Sequence, residues 1–469
     1  MIRPAILWTD ALVFLLTLVV IAFILYARRK PHIATPWKRV FTGRIAAASA
    51  VVLLAFVLTG LLDSLHFRLP LDGNGKNGEV HYAVEMLSVL DVLAGPLRTQ
   101  VEKTYSAPFA TRLYARETVE LDDGSEVRTY PPLQYGGAHL AASGMSKATD
   151  ILQRSLRALA GAMLGGVMLL WLLSAWQGRR NGQTVRDMAG RILSGQAEMP
   201  WRTILVTVTL LLLFFLLVVN LAGVYHMLGT DKVGQDVLYQ SLKSVRTGLL
   251  IGTLTTLVML PFAIFMGIVA GYARGWIDDV VQYVYTTLNS IPHVLLIAAA
   301  ILMLQVYMAN HPEMFETTVE RADIRLLFLC IILGITSWTG LCRLLRGESL
   351  KLREAEYIQA AVSFGVSHGR IITRHILPNV MHIVLITVVL DFSGLVLAEA
   401  VLSYVGVGVD STMNSWGNMI NSARLEMARE PVVWWSLLSA FLFMFTLVLA
   451  ANLFSDAVRD AFDPHTRDR

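Results

Sequence analysis

The sequence predicts an all-α, polytopic helical membrane protein with about nine transmembrane helices. Of its 469 residues, 55% are hydrophobic and only 16% are charged, and the mean hydropathy is +0.56. Soluble domains are about one quarter charged, so a soluble multidomain enzyme is disfavoured. Nine apolar stretches are long enough to cross the hydrocarbon core, which takes roughly 20 helical residues. A β-barrel would alternate polar and apolar residues instead.

These nine stretches are predicted to be helices because every backbone amide in lipid must find its hydrogen bond within its own segment. Eight contain no Asp, Glu, Lys or Arg, and the ninth contains Asp391 and Glu399. In chain order they cover residues 11–27, 45–62, 158–176, 203–225, 247–273, 280–310, 326–342, 380–402 and 432–455.

Lys and Arg concentrate in the loops 28–44 and 179–202. Cytoplasmic loops carry such an excess, so both loops are predicted to lie inside. Alternation then places the N-terminus outside, residues 346–378 inside and the C-terminus in the cytoplasm. The first stretch has neither the basic leader nor the small-residue cleavage site of a signal peptide, and it is predicted to be a retained helix.

The sequence divides into four segments. Residues 1–62 hold two N-terminal helices, 63–157 form a small extracytoplasmic α/β domain, 158–202 hold a third helix with its loop, and 203–469 complete the chain. Within the second segment we expect a turn at 72–75, a hairpin at 117–130 and an amphipathic helix at 141–157. The pattern leaves open whether this domain binds a partner or only packs on neighbouring helices.

Several kinds of chemistry are absent from the sequence. There is no G-x-x-x-x-G-K-[ST] loop to hold phosphates, and the 11 His residues show no metal-ligand spacing. Cys330 and Cys342 are predicted to be packed thiols. No basic patch with interleaved aromatic residues points to nucleic acid. Asp391 and Glu399 are the only clear acids within the stretches, which disfavours an ion-coupled transporter.

Residues 346–378 predict a helix, a turn and a second short helix at the membrane surface. Gly365 is expected to break the first helix, Ser367 to cap the second, and Pro378 to end it before the membrane. The triplet Gln359-Ala360-Ala361, then Gly365, then His375-Ile376-Leu377-Pro378 resemble the EAA loop of bacterial ABC importer permeases. The version is that of the binding-protein-dependent type I permeases of the dipeptide, oligopeptide and nickel transport family.

This resemblance implies that the loop is a coupling helix that docks on a separate ATPase subunit. The positions it assigns to coupling are Glu356, Gln359, Ala360, Ala361, Gly365, Leu377 and Pro378. Gln359 stands where the family has Glu, and Glu356 offers a carboxylate one turn earlier.

Two further regions are similar to motifs of the same family. Residues 226–238 resemble LGTD-xx-GRD, with Gln235 in place of Arg, and 397–409 with 415–419 resemble LAEA-LSFLGLG and SWGNM. The tail 459–464 matches RDAFDP. Asp231 and Asp236 are expected to cap helix starts. The resemblance implies a six-helix core preceded by three extra helices, with outer-gate or structural roles for Gly229, Asp231, Gly234, Asp236, Glu399 and Trp416.

Candidates for the translocation path are Asp391, Asn289 and Pro292. A carboxylate within a span is costly, so Asp391 is expected either to meet an amine of the cargo or to join two helices. Pro292 is predicted to kink the sixth span by removing a backbone hydrogen bond. Arg343 and Arg346 are expected to anchor the seventh span at the interface.

The resemblance implies a permease subunit of an ATP-driven importer of di- and oligopeptides in the bacterial inner membrane. Its partners would be a second homologous permease, two ATPase subunits, an extracytoplasmic solute-binding protein and membrane lipid. The chain itself would be no enzyme and bind no cofactor or metal, with ATP and Mg²⁺ used by the ATPases. The alternatives are an ATP-independent channel or secondary transporter, and a membrane scaffold or sensor with a permease-like core.

Overall fold

Helices dominate the computed structural model, which describes residues 3–74, 80–120, 126–314 and 317–462. Within these residues, nine helical segments are long and apolar enough to cross a membrane, so the predicted polytopic all-α class is confirmed. They are α1 (Trp8–Arg28), α3 (Arg44–Ser64), α7 (Lys147–Asn181), α9 (Trp201–Leu221), α10 (Val237–Ala273), α12 (His293–Asn310), α13 and α14 together (Thr318–Ser337, Thr339–Arg353), α16 and α17 together (His368–Tyr404), and α19 (Trp435–Phe462).

Shorter helices and three small antiparallel sheets connect these spans. The helices are α2 (Pro31–Thr42), α4 (Val89–Leu93), α5 (Gly95–Thr99), α6 (His139–Ser143), α8 (Val185–Ser194), α11 (Trp276–Ser290), α15 (Glu356–Ser363) and α18 (Trp416–Glu426). The strands are β1 (Arg3–Ala5), β2 (His66–Arg68), β3 (Pro70–Asn74), β4 (Val80–Tyr82), β5 (Leu87–Ser88), β6 (Glu117–Glu120) and β7 (Glu126–Thr129), arranged as β1-β2-β5, β3-β4 and β6-β7.

The chain packs as two compact units. One contains β1, Ala27–Thr247 and Asn414–Ala457, and the other contains Ile6–Tyr26 and Gly248–Met413 with the end of α19. Each unit combines parts of the chain that are far apart in sequence, whereas the four predicted segments divide the chain in sequence order. The segment between α3 and α7, residues 65–146, is called the insertion below.

The structure moves the start of one helix predicted in the insertion and contains the predicted hairpin. The amphipathic helix predicted at 141–157 begins only at Lys147, because Gly144 adopts a left-handed conformation and the Ser146 hydroxyl accepts the Thr149 N–H as the N-cap. The predicted hairpin is formed by β6 and β7, with Glu117 opposite Thr129. Its turn at 121–125 lies outside the described residues. The predicted turn at 72–75 begins within β3, and Gly75 also lies outside the described part of the chain.

The sixth span is interrupted at Pro292 and not kinked as predicted. α11 ends at Ser290, Ile291 is extended, and α12 begins at His293. The residue before a proline is pushed out of the helical region by the proline ring, so the helix stops there. Only α12 is long and apolar enough to count as a span.

α10 packs closely, through two glycines, against α14, the helix that leads into the 346–378 loop. A Cβ on Gly271 of α10 would lie 2.5 Å from the Arg346 carbonyl oxygen of α14, and one on Gly267 would lie 2.8 Å from the Cys342 carbonyl oxygen. Four-residue spacing of glycines lets helix backbones approach each other in this way. The end of α10 is thereby held directly against α14.

Candidate functional site

The loop of residues 346–378, called the coupling segment below, is almost entirely helical. α14 ends at Arg353, α15 covers Glu356–Ser363, and a reversal at Gly365 leads into α16. The N–H of Gly365 donates to the Val362 carbonyl at 2.9 Å, and that of Val366 donates to the Ala361 carbonyl at 3.1 Å. With Gly365 at φ +73°, this is a Schellman C-cap, which a residue with a Cβ adopts only under strain.

Pro378 does not end the second helix, which corrects the sequence prediction. α16 continues through a π-helical turn at Ile372–Ile376 directly into α17, where Pro378 stands in the first turn. The N–H of Leu377 donates to the Ile372 carbonyl five residues back. The change of hydrogen-bond register at this π-helical turn accommodates the proline, which has no N–H to donate. Ser367 occupies the predicted N-cap position, but its hydroxyl accepts no capping hydrogen bond.

The coupling segment is tied to the end of α10 by two contacts. Arg353 Nη1 donates to the Tyr272 carbonyl at 2.7 Å, so a cation lies at the carbonyl end of that helix, where the helix dipole favours it. The Tyr272 hydroxyl lies 2.7 Å from His368 Nδ1. One contact comes from before α15 and one from after it, so both ends of the reversal are fixed on α10.

Two ion pairs continue this attachment toward α11. Arg346 Nε and Nη2 lie 2.5 and 2.7 Å from the two Asp278 carboxylate oxygens. This hydrogen-bonded guanidinium lowers the pKa of Asp278 below its ordinary value. Arg274 pairs with Glu354, and the Gln359 side-chain amide donates to the Glu354 backbone carbonyl at 3.2 Å. Arg346 is therefore a structural ion-pair partner in addition to its predicted place at the interface.

The side chains of α15 and its C-terminal end differ sharply in exposure. Ile358 is fully buried in the core formed with α10, α14 and α17, and Ala361 packs partly against the same core. Phe364, at the end of the helix, is 86% exposed, and Tyr357 and Val362 are each 47% exposed. Beside them lies an open cavity of about 690 Å³, lined by Tyr272, Ala273, Arg353, Glu354, Gln359, Val362, Ser363, His368 and Ile372. The segment thus presents an apolar tip next to a polar hollow.

The predicted coupling residues fall on both faces. Glu356, Gln359, Ala360 and Gly365 are exposed, while Ala361 and Leu377 pack partly against the core and Pro378 is exposed. Because Glu356 and Gln359 are three residues apart, they share one face of α15. Leu377 and Pro378 lie apart from these two residues, at the start of α17.

The 226–238 segment forms a compact loop that begins α10. Asp236 accepts the Leu238 N–H at 2.8 Å and caps α10, as predicted. Asp231 caps no helix: it accepts the N–H groups of Val233 and Gln235 at 3.0 and 2.9 Å, because the chain reverses there before the helix starts. Gly229 and Gly234 adopt φ +72° and +77°.

This loop is in intimate contact with the insertion. A Cβ on Gly234 would lie 1.7 Å from the Glu102 carbonyl oxygen, and one on Gly229 would lie 2.5 Å from that of Ser106. The Thr230 N–H donates to the Ser106 carbonyl at 3.0 Å. No side chain fits at either glycine while the insertion stays docked.

A buried histidine lies between two carboxylates at this contact. His226 Nδ1 is 2.8 Å from Asp236 Oδ2, and its Nε2 is 3.5 Å from Glu102 Oε1. Burial lowers the pKa of His226, but the two carboxylates outweigh it and raise that pKa to about 9. Burial raises the pKa of Glu102, while His226 and the N–H groups of residues 134–136 outweigh burial and lower it to about 2.

Glu399 of α17 and Trp416 of α18 are both buried. Glu399 is 2% exposed and accepts a hydrogen bond from the Ser403 hydroxyl at 2.8 Å. Trp416 is 1% exposed, and its indole N–H donates to the Ser241 carbonyl of α10 at 3.2 Å. These contacts support the structural alternative for both residues.

The three path candidates do not share one environment. Asp391 lies partly buried in the middle of α17, and no hydrogen bond or ion pair joins it to another residue in the described ranges. Asn289 is exposed at the end of α11 and accepts a hydrogen bond from the Thr339 hydroxyl at 3.0 Å. Pro292 is exposed at the start of α12.

Several of these contacts had no usable signal in the sequence. Phe364 was absent from the predicted coupling residues. Its position directly before the helix-ending Gly365 is the sequence signal that could have identified it. Tyr272 and His368 are 96 residues apart, and Glu102 and His226 are 124 apart. Pairs so distant in sequence meet only through tertiary packing.

Comparison with known proteins agrees with this arrangement. The family model "Binding-protein-dependent transport system inner membrane component" matches residues 263–468. The chain is 32% identical over 243 residues to the oligopeptide transport system permease protein OppC of Haemophilus influenzae, which covers 52% of this chain and 71% of the relative.

Two further relatives are named for other cargoes. The dipeptide transport system permease protein DppC of Bacillus subtilis is 29% identical over 242 residues, 52% of this chain and 69% of the relative. The glutathione transport system permease protein GsiD of Pectobacterium atrosepticum is 31% identical over 239 residues, 51% of this chain and 72% of the relative. The chain belongs to the family of binding-protein-dependent transport system inner membrane components, the permease subunits of ABC importers.

Proposed function

We propose that this chain is the permease subunit of an ATP-driven importer that moves di- and oligopeptides into the cytoplasm. Its partners in the proposal are a second homologous permease, two ATPase subunits and an extracytoplasmic solute-binding protein. Relatives named for oligopeptide, dipeptide and glutathione transport support peptides as the cargo class, since glutathione is itself a peptide.

The exposed tip of α15 is the observation that carries the proposal. Phe364 is 86% exposed at the end of a helix that the fully buried Ile358 anchors in the core. A large apolar side chain held in water next to a polar hollow is typical of an interaction surface. We assign this surface to the ATPase subunit, with Phe364 entering the ATPase groove and Glu356 and Gln359 at its edge.

Force from the ATPase would reach the membrane through the contacts of the coupling segment. Arg353 and His368 join it to the end of α10, and Arg346 joins α14 to Asp278 of α11. When ATP binding draws the ATPases together, a displacement of α15 is passed to these helices. The chain itself catalyses nothing in this proposal, and ATP with Mg²⁺ is held by the ATPase subunits.

The proposal places the coupling segment in the cytoplasm, the N-terminus outside and the C-terminus inside a bacterial inner membrane. The loops 28–44 and 179–202, rich in Lys and Arg, support this orientation. Asp391, which has no partner among the described residues, is proposed to face the path and to meet the cargo amine. The 226–238 loop and Glu399 are proposed to hold the outer end of the core in shape.

Affinity purification of tagged Phe364→Ala tests the proposal. Because burying a Phe side chain stabilises a contact by about 1.5–3 kcal/mol, we expect at least about tenfold weaker association with the ATPase subunits. Peptide uptake should fall while the protein remains in the membrane. Tyr130→Ala, an exposed aromatic residue of the insertion, is the matched control and should retain both.

The same experiment separates the rival functions. A channel or secondary transporter would purify without ATPase subunits and move solute when ATP is depleted. A scaffold or sensor would keep partners but show no uptake in the wild type. Either result would overturn the importer proposal.

A further inference from the structure

Positive charge is concentrated in two short segments, one connecting the first span to the second and the other connecting the third span to the fourth. Residues 27–47 and 176–202 together contain eleven Lys and Arg, and Asp187 and Glu198 are their only acids. The two segments therefore carry a net charge of +9, although the whole chain carries only +4. The rest of the chain is net negative, so this charge is local.

The two segments lie together at one membrane face. α2 connects α1 to α3, and α8 connects α7 to α9. Two spans, α3 and α7, lie between α2 and α8 in the chain, so α2 and α8 are on the same side of the membrane. Lys38 Nζ lies 4.0 Å from Glu198 Oε2, which brings the segments into contact. α8 is fixed at the ends of α7 and α9 because Met188 and Ile192 are buried among Leu169, Leu170, Leu173, Leu205 and Trp201.

Tryptophans mark the depth of this surface. Trp176 and Trp201 stand at the ends of α7 and α9, and Trp37 lies in α2. Tryptophan is enriched at the membrane–water interface. The Arg180 guanidinium lies over the Trp176 ring at 5.9 Å. We therefore expect the basic side chains near these tryptophans to lie at the level of lipid headgroups.

α8 also borders an open polar groove of about 570 Å³. It is lined by Gln183, Arg186, Asp187, Gly190, Arg191, Ser194 and Gln196. Arg191 donates to Gln183 Oε1 at 3.0 Å, and Asp187 is engaged by Thr184 in the N-cap of α8. Arg186 has no hydrogen bond or ion pair with any residue that the structure describes. A guanidinium matches the geometry of phosphate oxygens.

We propose that the groove on α8, with the adjoining basic face of α2, binds the phosphate headgroup of an anionic membrane lipid. Lipid is favoured over a soluble anion because the groove lies at headgroup depth, where anionic lipid is concentrated. This site belongs to the part of the chain that precedes the matched family region, so it stands independently of peptide transport. The three extra helices thereby acquire a function as a lipid-binding platform.

Binding of a fluorescent short-chain phosphatidylglycerol to the purified full-length chain in neutral detergent tests this site. Each cation near anionic lipid strengthens binding about fivefold, so Arg186→Gln with Arg191→Gln should weaken it about thirtyfold. Arg186→Lys with Arg191→Lys keeps the charge and should bind within a few-fold of wild type. The control pair Arg112→Gln with Arg128→Gln, on the insertion, should leave binding unchanged. Gel filtration checks that all variants fold.

Competition experiments identify the anion that the groove binds. Phosphatidylcholine and glycerol phosphate should compete poorly, and added salt should weaken phosphatidylglycerol binding. Equal binding by the Gln pair and the wild type would overturn the site. Competition by glycerol phosphate as strong as by the lipid would make the ligand a soluble phosphate. Displacement by a short RNA at lower concentration than the lipid would make it a nucleic-acid surface.

Discussion

The imidazole of His226 and the carboxylate of Glu102 face each other across 3.5 Å, although 124 residues separate them in the chain. His226 begins the loop that resembles a family motif, and Glu102 belongs to the insertion. Both side chains are almost fully buried. The insertion is therefore an integral part of the structure around residues 226–238 and not a loosely attached module.

Neutralising Glu102 should destabilise this contact. Glu102→Gln leaves the buried cation of His226 with only Asp236, and breaking a buried ion pair costs about 3 kcal/mol. We expect a lower thermal unfolding midpoint in detergent and faster proteolysis of residues 226–238. Glu117→Gln is the control, because its partner Lys103 is 72% exposed and such surface pairs contribute under about 1 kcal/mol. Equal effects of the two substitutions would contradict this interpretation.

The same cluster sets a pH window for the docking of the insertion. The pKa of His226 is raised from 6.5 to about 9, so its contribution is complete below 6.5 and is lost as pH rises through 9. The pKa of Glu102 is lowered from 4.5 to about 2, so its contribution is present above 4.5 and is lost as pH falls toward 2. Protection of residues 226–238 from hydrogen exchange, taken relative to the intrinsic exchange rate at each pH, should be greatest between 4.5 and 6.5. In His226→Gln the loss of protection toward pH 9 should disappear; an unchanged loss would assign it to other groups.

Substitution at Gly365 should disrupt coupling through the backbone alone. A Cβ there would meet no atom within 4 Å, but φ +73° costs a β-branched residue about 1–2 kcal/mol. Gly365→Val should reduce ATPase association and uptake, whereas Gly365→Asn should retain most of both because Asn adopts this conformation. Gly369→Ala, which also has open space within α16, is the control. Loss in Gly369→Ala equal to that in Gly365→Val would point to general sensitivity of the loop.

The Arg346–Asp278 pair should transmit force between α14 and α11. A double-mutant cycle with Arg346→Gln and Asp278→Asn is expected to give a coupling energy of about 2 kcal/mol in unfolding. Both single variants and the double variant should lower uptake to a similar extent, since each breaks the same link. Arg343→Gln, whose guanidinium lies 5.1 Å over the Tyr285 ring, should change uptake less. Additive losses in uptake would show that the two residues act separately.

Asp391→Asn should affect transport without affecting stability. No partner among the described residues depends on the Asp391 carboxylate, so the free energy of unfolding should stay within about 0.5 kcal/mol of the wild-type value. We expect the KM for peptides with a free amino terminus to rise about tenfold or more, and that for N-acetylated peptides to change little. Glu399→Gln, which disturbs the hydrogen bond from Ser403, should show the reverse pattern. An unstable Asp391→Asn protein would favour a helix-joining role instead.

Local pattern was sufficient for some features of the fold. The turn at Gly365 and the hairpin of β6 and β7 follow from short-range chemistry, and the structure contains both. The ends of elements were less predictable, because a proline can kink, interrupt or begin a helix. At Pro292 it interrupts one, and at Pro378 a π-helical turn lets the helix continue. The choice depends on which carbonyls the surroundings can satisfy.

The membrane class, the nine apolar spans and the family follow from the amino-acid sequence, because each depends on hydrophobic length or on motifs that lie close together in the chain. How the parts are joined follows from tertiary packing alone. It pairs Tyr272 with His368, Arg346 with Asp278 and His226 with Glu102. It also leaves Phe364 exposed while it buries Ile358. These outcomes depend on contacts between residues far apart in the chain, and no local pattern specifies which distant side chain will fill a given space.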